Sequence, residues 1–157
     1  LDDILMLARL GKSGEAIQSV DIGALAESIA GEFENTSFVA PETRMVAQIR
    51  PVLLRRALRN LISNAVTYGK SATVSVVENT SQLIVEIIDH GPGIDPSTME
   101  AMFEPFSRAE ISRSRATGGS GLGLTIARAI ARSHGGDVLL ENMSGGGLKA
   151  SLSISKK

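Results

Sequence analysis

Cysteine is absent from the 157 residues. That excludes a disulfide framework and a thiolate metal centre, and it is compatible with a reducing compartment. An excess of charge of either sign is absent too: 16 Lys and Arg stand against 17 Asp and Glu, a formal net charge of −1. No broad basic footprint for nucleic acid or an anionic membrane is available, so any basic patch must be local. No run approaches the roughly 18 apolar residues of a membrane span. The opening "LDDI" is acidic rather than signal-like, and the chain is expected to be soluble. Internal repeats are also missing, and the length fits one domain with a sizeable core.

What is present divides into three stretches. "LDDILMLARLG" has apolar residues at 4, 5, 7, 8 and 10 and no cap before it, so residues 1–12 read as the end of a longer helix. Residues 13–20 read as a linker, since two glycines in "GKSGEAIQSV" break the pattern. Residues 21–157 read as the compact domain. There Asp21 is placed to cap a helix with apolar positions 22, 25, 26, 29, 30 and 33. "MVAQI" is a strand candidate, Pro51 opens a long helix closed by Gly69, and "ATVSVVE" and "QLIVEIID" form a hairpin through "NTS". Residues 91–120 carry little periodicity beyond a short helix near Ser97 to Phe103, and a long irregular segment of this kind is a lid or binding loop. A helix over "LGLTIARAIARSH" and a closing hairpin of "DVLLEN" with "LKASLSIS" complete the chain. Strands interleaved with helices, with hairpins among the strands, predict an α+β fold: a mixed sheet covered on one face by helices.

Four constellations carry chemistry. On the helix from 51 to 68, Asn60, Asn64 and Tyr68 fall at i, i+4 and i+8 beside an apolar stripe. Two asparagines on one face are either a solvated polar face or hard oxygen ligands suited to Mg²⁺ shared with a nucleotide. In the strand ending at Asp89, alternation places the acid with Leu83, Val85 and Ile87 on the core side. A buried carboxylate needs donors, which a backbone turn or the exocyclic amine of a purine supplies. Gly91 and Gly93 let backbone approach a flat ring. In "TGGSGLGLTIAR" the glycines at 118, 119, 121 and 123 run into a helix, leaving free amides and the positive end of the dipole for phosphate. Neither a dinucleotide fingerprint nor a P-loop is present, because Ile126 and Met6 stand where each motif requires glycine. Finally, Arg108, Arg113 and Arg115 in the preceding loop are either a solvated charge run or clamps for phosphate oxygens.

By order and spacing these pieces resemble the catalytic, ATP-binding domain of bacterial sensor histidine kinases. That domain belongs to the superfamily of type II topoisomerases, mismatch-repair ATPases and the heat-shock chaperone ATPase. "NLISNAVTY" resembles its N box, "DHGPGI" its G1 box, "FEPF" its F box and "GSGLGL" its G2 box, and the match spans residues 21 to 157. "LDDILMLARL" is similar to the end of the second dimerisation helix.

The resemblance implies a two-layer α/β sandwich of the Bergerat type: a mixed, mostly antiparallel sheet with a long ATP lid. It implies ATP and Mg²⁺ as cofactors, with Asn64 and Asn60 at the metal and phosphates. Asp89 would accept from the adenine amino group, Gly91, Gly93 and Ile94 would line the base pocket, and Tyr68 would pack near adenine or ribose. Gly119, Gly121 and Gly123 would free the lid, Leu122 and Leu124 would anchor it, and Arg108 and Arg113 would reach the phosphates. Phe103 and Phe106 would be hinges and packing. The implied partners are the protein's own dimerisation domain, which carries the acceptor histidine, and a response-regulator receiver domain. Neither nucleic acid nor membrane contact by this stretch is implied. The implied setting is a cytoplasmic domain of a homodimer anchored in the inner membrane.

Some positions depart from the family pattern. Thr67 replaces a frequent basic residue, Arg50 stands where an acidic cap is common, and "SISKK" lacks the usual final proline motif. Neither His90 nor His134 is placed as the acceptor. Asn60 stands where the superfamily's hydrolases carry a water-activating glutamate, and an amide is no general base. Transfer to an imidazole rather than to water is therefore the expected reaction. A nucleotide-sensing module that transfers nothing and a serine kinase that inhibits a sigma factor are the alternatives.

Overall fold

The structure, a computed structural model, describes residues 14–103 and 123–156. In chain order the elements are β1 (Gln18–Asp21), α1 (Ile22–Ala30), β2 (Thr36–Val39), β3 (Val46–Ile49), α2 (Pro51–Gly69), β4 (Ala72–Glu78) and β5 (Gln82–Asp89). Two short 3₁₀ turns follow, then α3 (Gly123–Ser133), β6 (Val138–Asn142) and β7 (Leu148–Ser155). The main sheet has the order β2-β4-β5-β7-β6, and β1 pairs with β3 in a separate two-stranded ribbon. Among the described residues only the β2–β4 pairing is parallel, so the sheet is mixed and mostly antiparallel, as expected.

Strict alternation sets the layers. Every second residue of β5 and β7 is buried, which turns Leu83, Val85, Ile87, Leu152 and Ile154 toward the helices. Against them α2 presents Leu54, Leu58, Leu61 and Ile62, and α3 presents Ile126 and Ile130, all 2% exposed or less. The opposite face is mixed: Lys149 of β7 bridges Glu86 at 3.7 Å and Glu141 at 3.2 Å across neighbouring strands, beside the exposed Val77 and Leu139. No helix among the described residues is long and apolar enough to cross a membrane.

Local chemistry explains most boundaries. Asp21 caps α1, its Oδ1 accepting from the Ala24 amide at 3.2 Å. The helix stops at Ala30, short of the run to Phe33 that periodicity suggests. The C-cap Gly31 donates its amide to the Glu27 and Ile29 carbonyls, and Phe33 still packs on the core from the following turn. At the start of α2, Arg50 supplies no side-chain cap. The missing acceptor comes from a distance: the Glu15 carboxylate accepts from Val52 N at 2.5 Å and Leu53 N at 3.1 Å, while Arg50 Nε donates to the Glu15 carbonyl at 3.0 Å.

Two further expectations need correction, and one strand lies outside them. Residues 13–20 are not all linker, because Gln18 to Val20 form most of β1 and pair with Ala47 to Ile49. Thr36–Val39 is a strand, too short for its alternation to register. The expected helix near Ser97 to Phe103 is two 3₁₀ turns, Pro96–Thr98 and Glu100–Phe103, the first capped by Asp95 accepting from Ser97 N at 3.0 Å. Gly69 is the last residue of α2, as expected, and the left-handed conformation that follows belongs to Lys70, φ 67°. Gly69 is glycine because a Cβ there would overlap the Asp89 side chain. The dimerisation-helix remnant at 1–12 lies outside the described residues.

Candidate functional site

Asp89 is the one buried polar side chain among the described residues, 6% exposed. It ends β5 between Ala72 of β4 and Leu148 of β7. Its Oδ1 accepts from the Gly91 amide at 2.9 Å, so the acidic turn suggested by sequence is real. It coexists with a pocket, because the same carboxylate lines a cleft between the sheet and the helices. Ile87, Leu148 and Ala150 form the floor of that cleft, Leu61, Ala65 and Leu124 its sides, and Asn64 joins Asp89 as polar lining. The enclosed space is about 20 Å³, room for about one water.

Asn60, Asn64 and Tyr68 are all half-buried along α2. Asn64 makes no side-chain hydrogen bond among the described residues and faces the cleft. Asn60 donates through Nδ2 to the carbonyl of Gly123, the first residue of α3, at 3.2 Å, which leaves Oδ1 as its acceptor. Leu124 is buried behind that contact, 2% exposed. The glycines of the loop after β5 have reasons of their own. A Cβ on Gly91 would stand 2.8 Å from Gly69 Cα and from the Tyr68 carbonyl, so its absence closes the loop onto the end of α2. Gly93 has φ 78°, and a Cβ there would overlap Asn142 Oδ1. Ile94 is held by Asn142 from both sides of its peptide unit.

A second cluster lies where the segment 104–122 leaves and rejoins the described structure. Thr125 Oγ1 donates to the Phe103 carbonyl at 2.7 Å, and the Arg128 guanidinium sits 4.3 Å from the centre of the Phe103 ring. Arg128 also pairs with Glu100 at 2.5 Å and Asp137 at 3.0 Å. Burial alone would raise the Asp137 carboxyl, but hydrogen bonds from Arg128, the Val138 amide and Arg132 outweigh it and hold it below the usual range. Phe103 is buried, 8% exposed, in keeping with a packing role. His134 is fully employed. Its Nε2 accepts from Arg50 N at 3.1 Å, which leaves Nδ1–H to donate to the Ile130 carbonyl at 2.8 Å.

The structure thus brings Asn64, Asp89 and Leu124 into one cleft, ties Gly91 to Asp89 and Asn60 to Gly123, and leaves Tyr68, Gly93 and Ile94 outside the cleft lining. Arg108, Arg113, Gly119, Gly121 and Leu122, with Arg115 and Phe106, lie outside the described residues. Sequence reasoning missed Glu15 and Asn142. Both act across long sequence separations, and neither sits in a pattern that marks it.

A helical layer on a mixed sheet, with an acid-ended central strand facing an asparagine-bearing helix, defines a class of nucleotide-handling domains rather than a doubly wound or P-loop fold. The chain belongs to the family described as histidine kinase-, DNA gyrase B-, and HSP90-like ATPase, which matches residues 49–157. It is 35% identical over 144 residues to sensor histidine kinase GtrS of Pseudomonas aeruginosa, covering 90% of this chain and 30% of that protein. It is 36% identical over 147 residues to sensor protein IrlS of Burkholderia pseudomallei, covering 87% and 32%. The chain spans about a third of the length of these relatives. Among solved structures it resembles the ATP binding domain of PrrB from Mycobacterium tuberculosis, with a TM-score of 0.73, 26% identity and coverage of 91% and 99%. It shares the fold of full-length ShkA in complex with AMPPNP, with a TM-score of 0.80, 24% identity and coverage of 98% and 34%.

Proposed function

We propose that this chain is the ATP-binding catalytic domain of a sensor histidine kinase. It transfers the γ-phosphoryl group of ATP to a histidine on the dimerisation domain of the same protein, for relay to a response-regulator receiver domain. The observation that carries the reading is Asp89, a buried carboxylate facing a cleft it shares with Asn64. A carboxylate accepts and does not donate, so it selects a ligand with an amine, as adenine has. Gly91, Gly93 and Ile94 form the loop over the base, and Tyr68 packs at its edge beside the ribose.

The donor set fits a hard cation. Asn64 offers an amide group toward the cleft, and Asn60, tied through its nitrogen to Gly123, accepts no hydrogen bond at its oxygen among the described residues. Mg²⁺ held there with the triphosphate would neutralise charge on the phosphate oxygens. By the family resemblance, Arg108 and Arg113 would serve the phosphates and Gly119, Gly121, Leu122, Gly123 and Leu124 the segment beside them. With an amide at Asn60 no side chain there activates water, so the phosphoryl group goes to imidazole and catalysis rests on positioning and charge. The whole protein is read as a homodimer anchored in the inner membrane, with this domain on the cytoplasmic side.

Calorimetry with a non-hydrolysable ATP analogue, with and without Mg²⁺, tests the site. Asp89→Asn is expected to weaken adenine nucleotides by about tenfold or more, the worth of a hydrogen bond to a charged acceptor, and to relax discrimination against guanine. A preference for GTP in the unsubstituted chain refutes the assignment. Vigorous ATP hydrolysis by the chain alone, with no transfer to an added dimerisation domain, makes it an ATPase instead.

A further inference from the structure

We propose that Asn142 is a positioning residue for the purine site, fixing the loop Gly91–Ile94 and thereby setting how tightly the base is held. The inference rests on reading the cleft as a nucleotide site. Its ground is a two-way pairing. Ile94 N donates to Asn142 Oδ1 at 3.0 Å, and Asn142 Nδ2 donates to the Ile94 carbonyl at 2.6 Å. One side chain satisfies both backbone groups of one residue, as a neighbouring strand would.

The clamp belongs to a larger brace. Asn142 ends β6 opposite Leu148, and the turn that follows is closed by Met143 N to the Gly147 carbonyl at 2.9 Å and Gly146 N to the Met143 carbonyl at 3.1 Å. Gly147, φ 100°, lies so close behind the Asp89 carbonyl that a Cβ would overlap it. The same turn therefore holds both ends of the loop, Gly147 at Asp89 and Asn142 at Ile94. Gly93 completes the fit, because its φ of 78° and missing Cβ leave room for Asn142 Oδ1.

The chemistry demands an amide of this length. Aspartate accepts but does not donate, and alanine does neither. Asn142 is solvent-exposed, so its removal acts on the loop rather than on the core.

The test uses the full chain with Asn142→Ala and Asn142→Asp, reading the dissociation constants of ADP and a non-hydrolysable ATP analogue, the binding stoichiometry, and hydrogen exchange at the Ile94 amide without nucleotide. Both substitutions are expected to weaken both nucleotides with and without Mg²⁺, Asn142→Ala by about tenfold through two lost hydrogen bonds, and Asn142→Asp through one lost donor and a carboxylate set against the Ile94 carbonyl. Stoichiometry stays unchanged, and Ile94 exchanges faster in Asn142→Ala. Unchanged affinity, or Ile94 exchange at the original rate, overturns the proposal. A reduced stoichiometry at unchanged affinity assigns Asn142 a merely structural role and overturns it as well. Failure of the unsubstituted chain to bind adenine nucleotide refutes the nucleotide reading instead, and it is recognised because no substitution is needed to see it.

Discussion

The two sides of the cleft are built on opposite principles. The asparagine side is local: Asn60 and Asn64 are one turn apart on α2 and project from a helix whose packing lies on another face. The acid side is assembled from afar: Asp89 is hemmed in by Gly69 from α2, Gly91 from its own loop and Gly147 from the β6–β7 turn, with Asn142 holding the loop beyond. A side made of projecting groups can change its chemistry without changing its fold. A side made of backbone in close contact cannot.

Breaking the comparison starts with Asn64→Ala. Alanine favours the helix, so the melting temperature should hold while Mg²⁺-dependent nucleotide affinity falls by about 100-fold, in line with the loss of a metal partner. Calorimetry with and without Mg²⁺ checks it, and an equal loss without the metal removes Asn64 from the metal site. Gly69→Ala is the counterpart on the acid side. Its Cβ overlaps the Asp89 side chain, and overpacking of this kind costs about 1–3 kcal/mol. Stability in a denaturant titration and nucleotide affinity should therefore drop together; a stable variant with lost affinity would erase the distinction between the sides.

Glu15→Gln sharpens the comparison by acting on the helix both sides share. Losing the charge at the N-terminus of α2 should cost about 0.3–1 kcal/mol, read as a lower melting temperature with nucleotide affinity little changed. The smallest effect is that of pH on the Arg128–Asp137 pair beside Phe103. The folded-state carboxyl of Asp137 is depressed by its partners, so its contribution is present above the ordinary carboxylate range and is lost as pH falls through the folded value. The pair is part-buried near the surface, with side-chain exposures of 14% and 33%, and solvent screening keeps the contribution under about 1 kcal/mol. The melting-temperature gap between the unsubstituted chain and Asp137→Asn should close on going from neutral to strongly acidic solution, and a gap that widens contradicts the assigned sign.

The same division decides what was legible in the sequence. The i, i+4 spacing of Asn60 and Asn64 and the alternation that buries Asp89 are periodic, and both read directly. Asn142 reaches Ile94, and Glu15 reaches Val52, across folds of the chain that no local pattern encodes. Gly69 was legible as a glycine at a helix end but not for its reason, since the Asp89 side chain that excludes a Cβ comes from another element. β1 and β2, at four residues each, are too short for alternation to speak, and their partners are not their neighbours in sequence.

The place of β7 in the sheet has a consequence for the order of folding. Residues 148–155 enter between β5 and β6, so during synthesis β5 waits with one edge unpaired until nearly the last of this stretch has emerged. Only then does Asp89 gain Leu148 across the ladder and Gly147 behind its carbonyl. Competence to hold a ligand and completion of the sheet therefore arrive in one late, long-range step. A nucleotide rewards finished chains alone, pulling the folding equilibrium forward by mass action while giving no help to the intermediates that precede it.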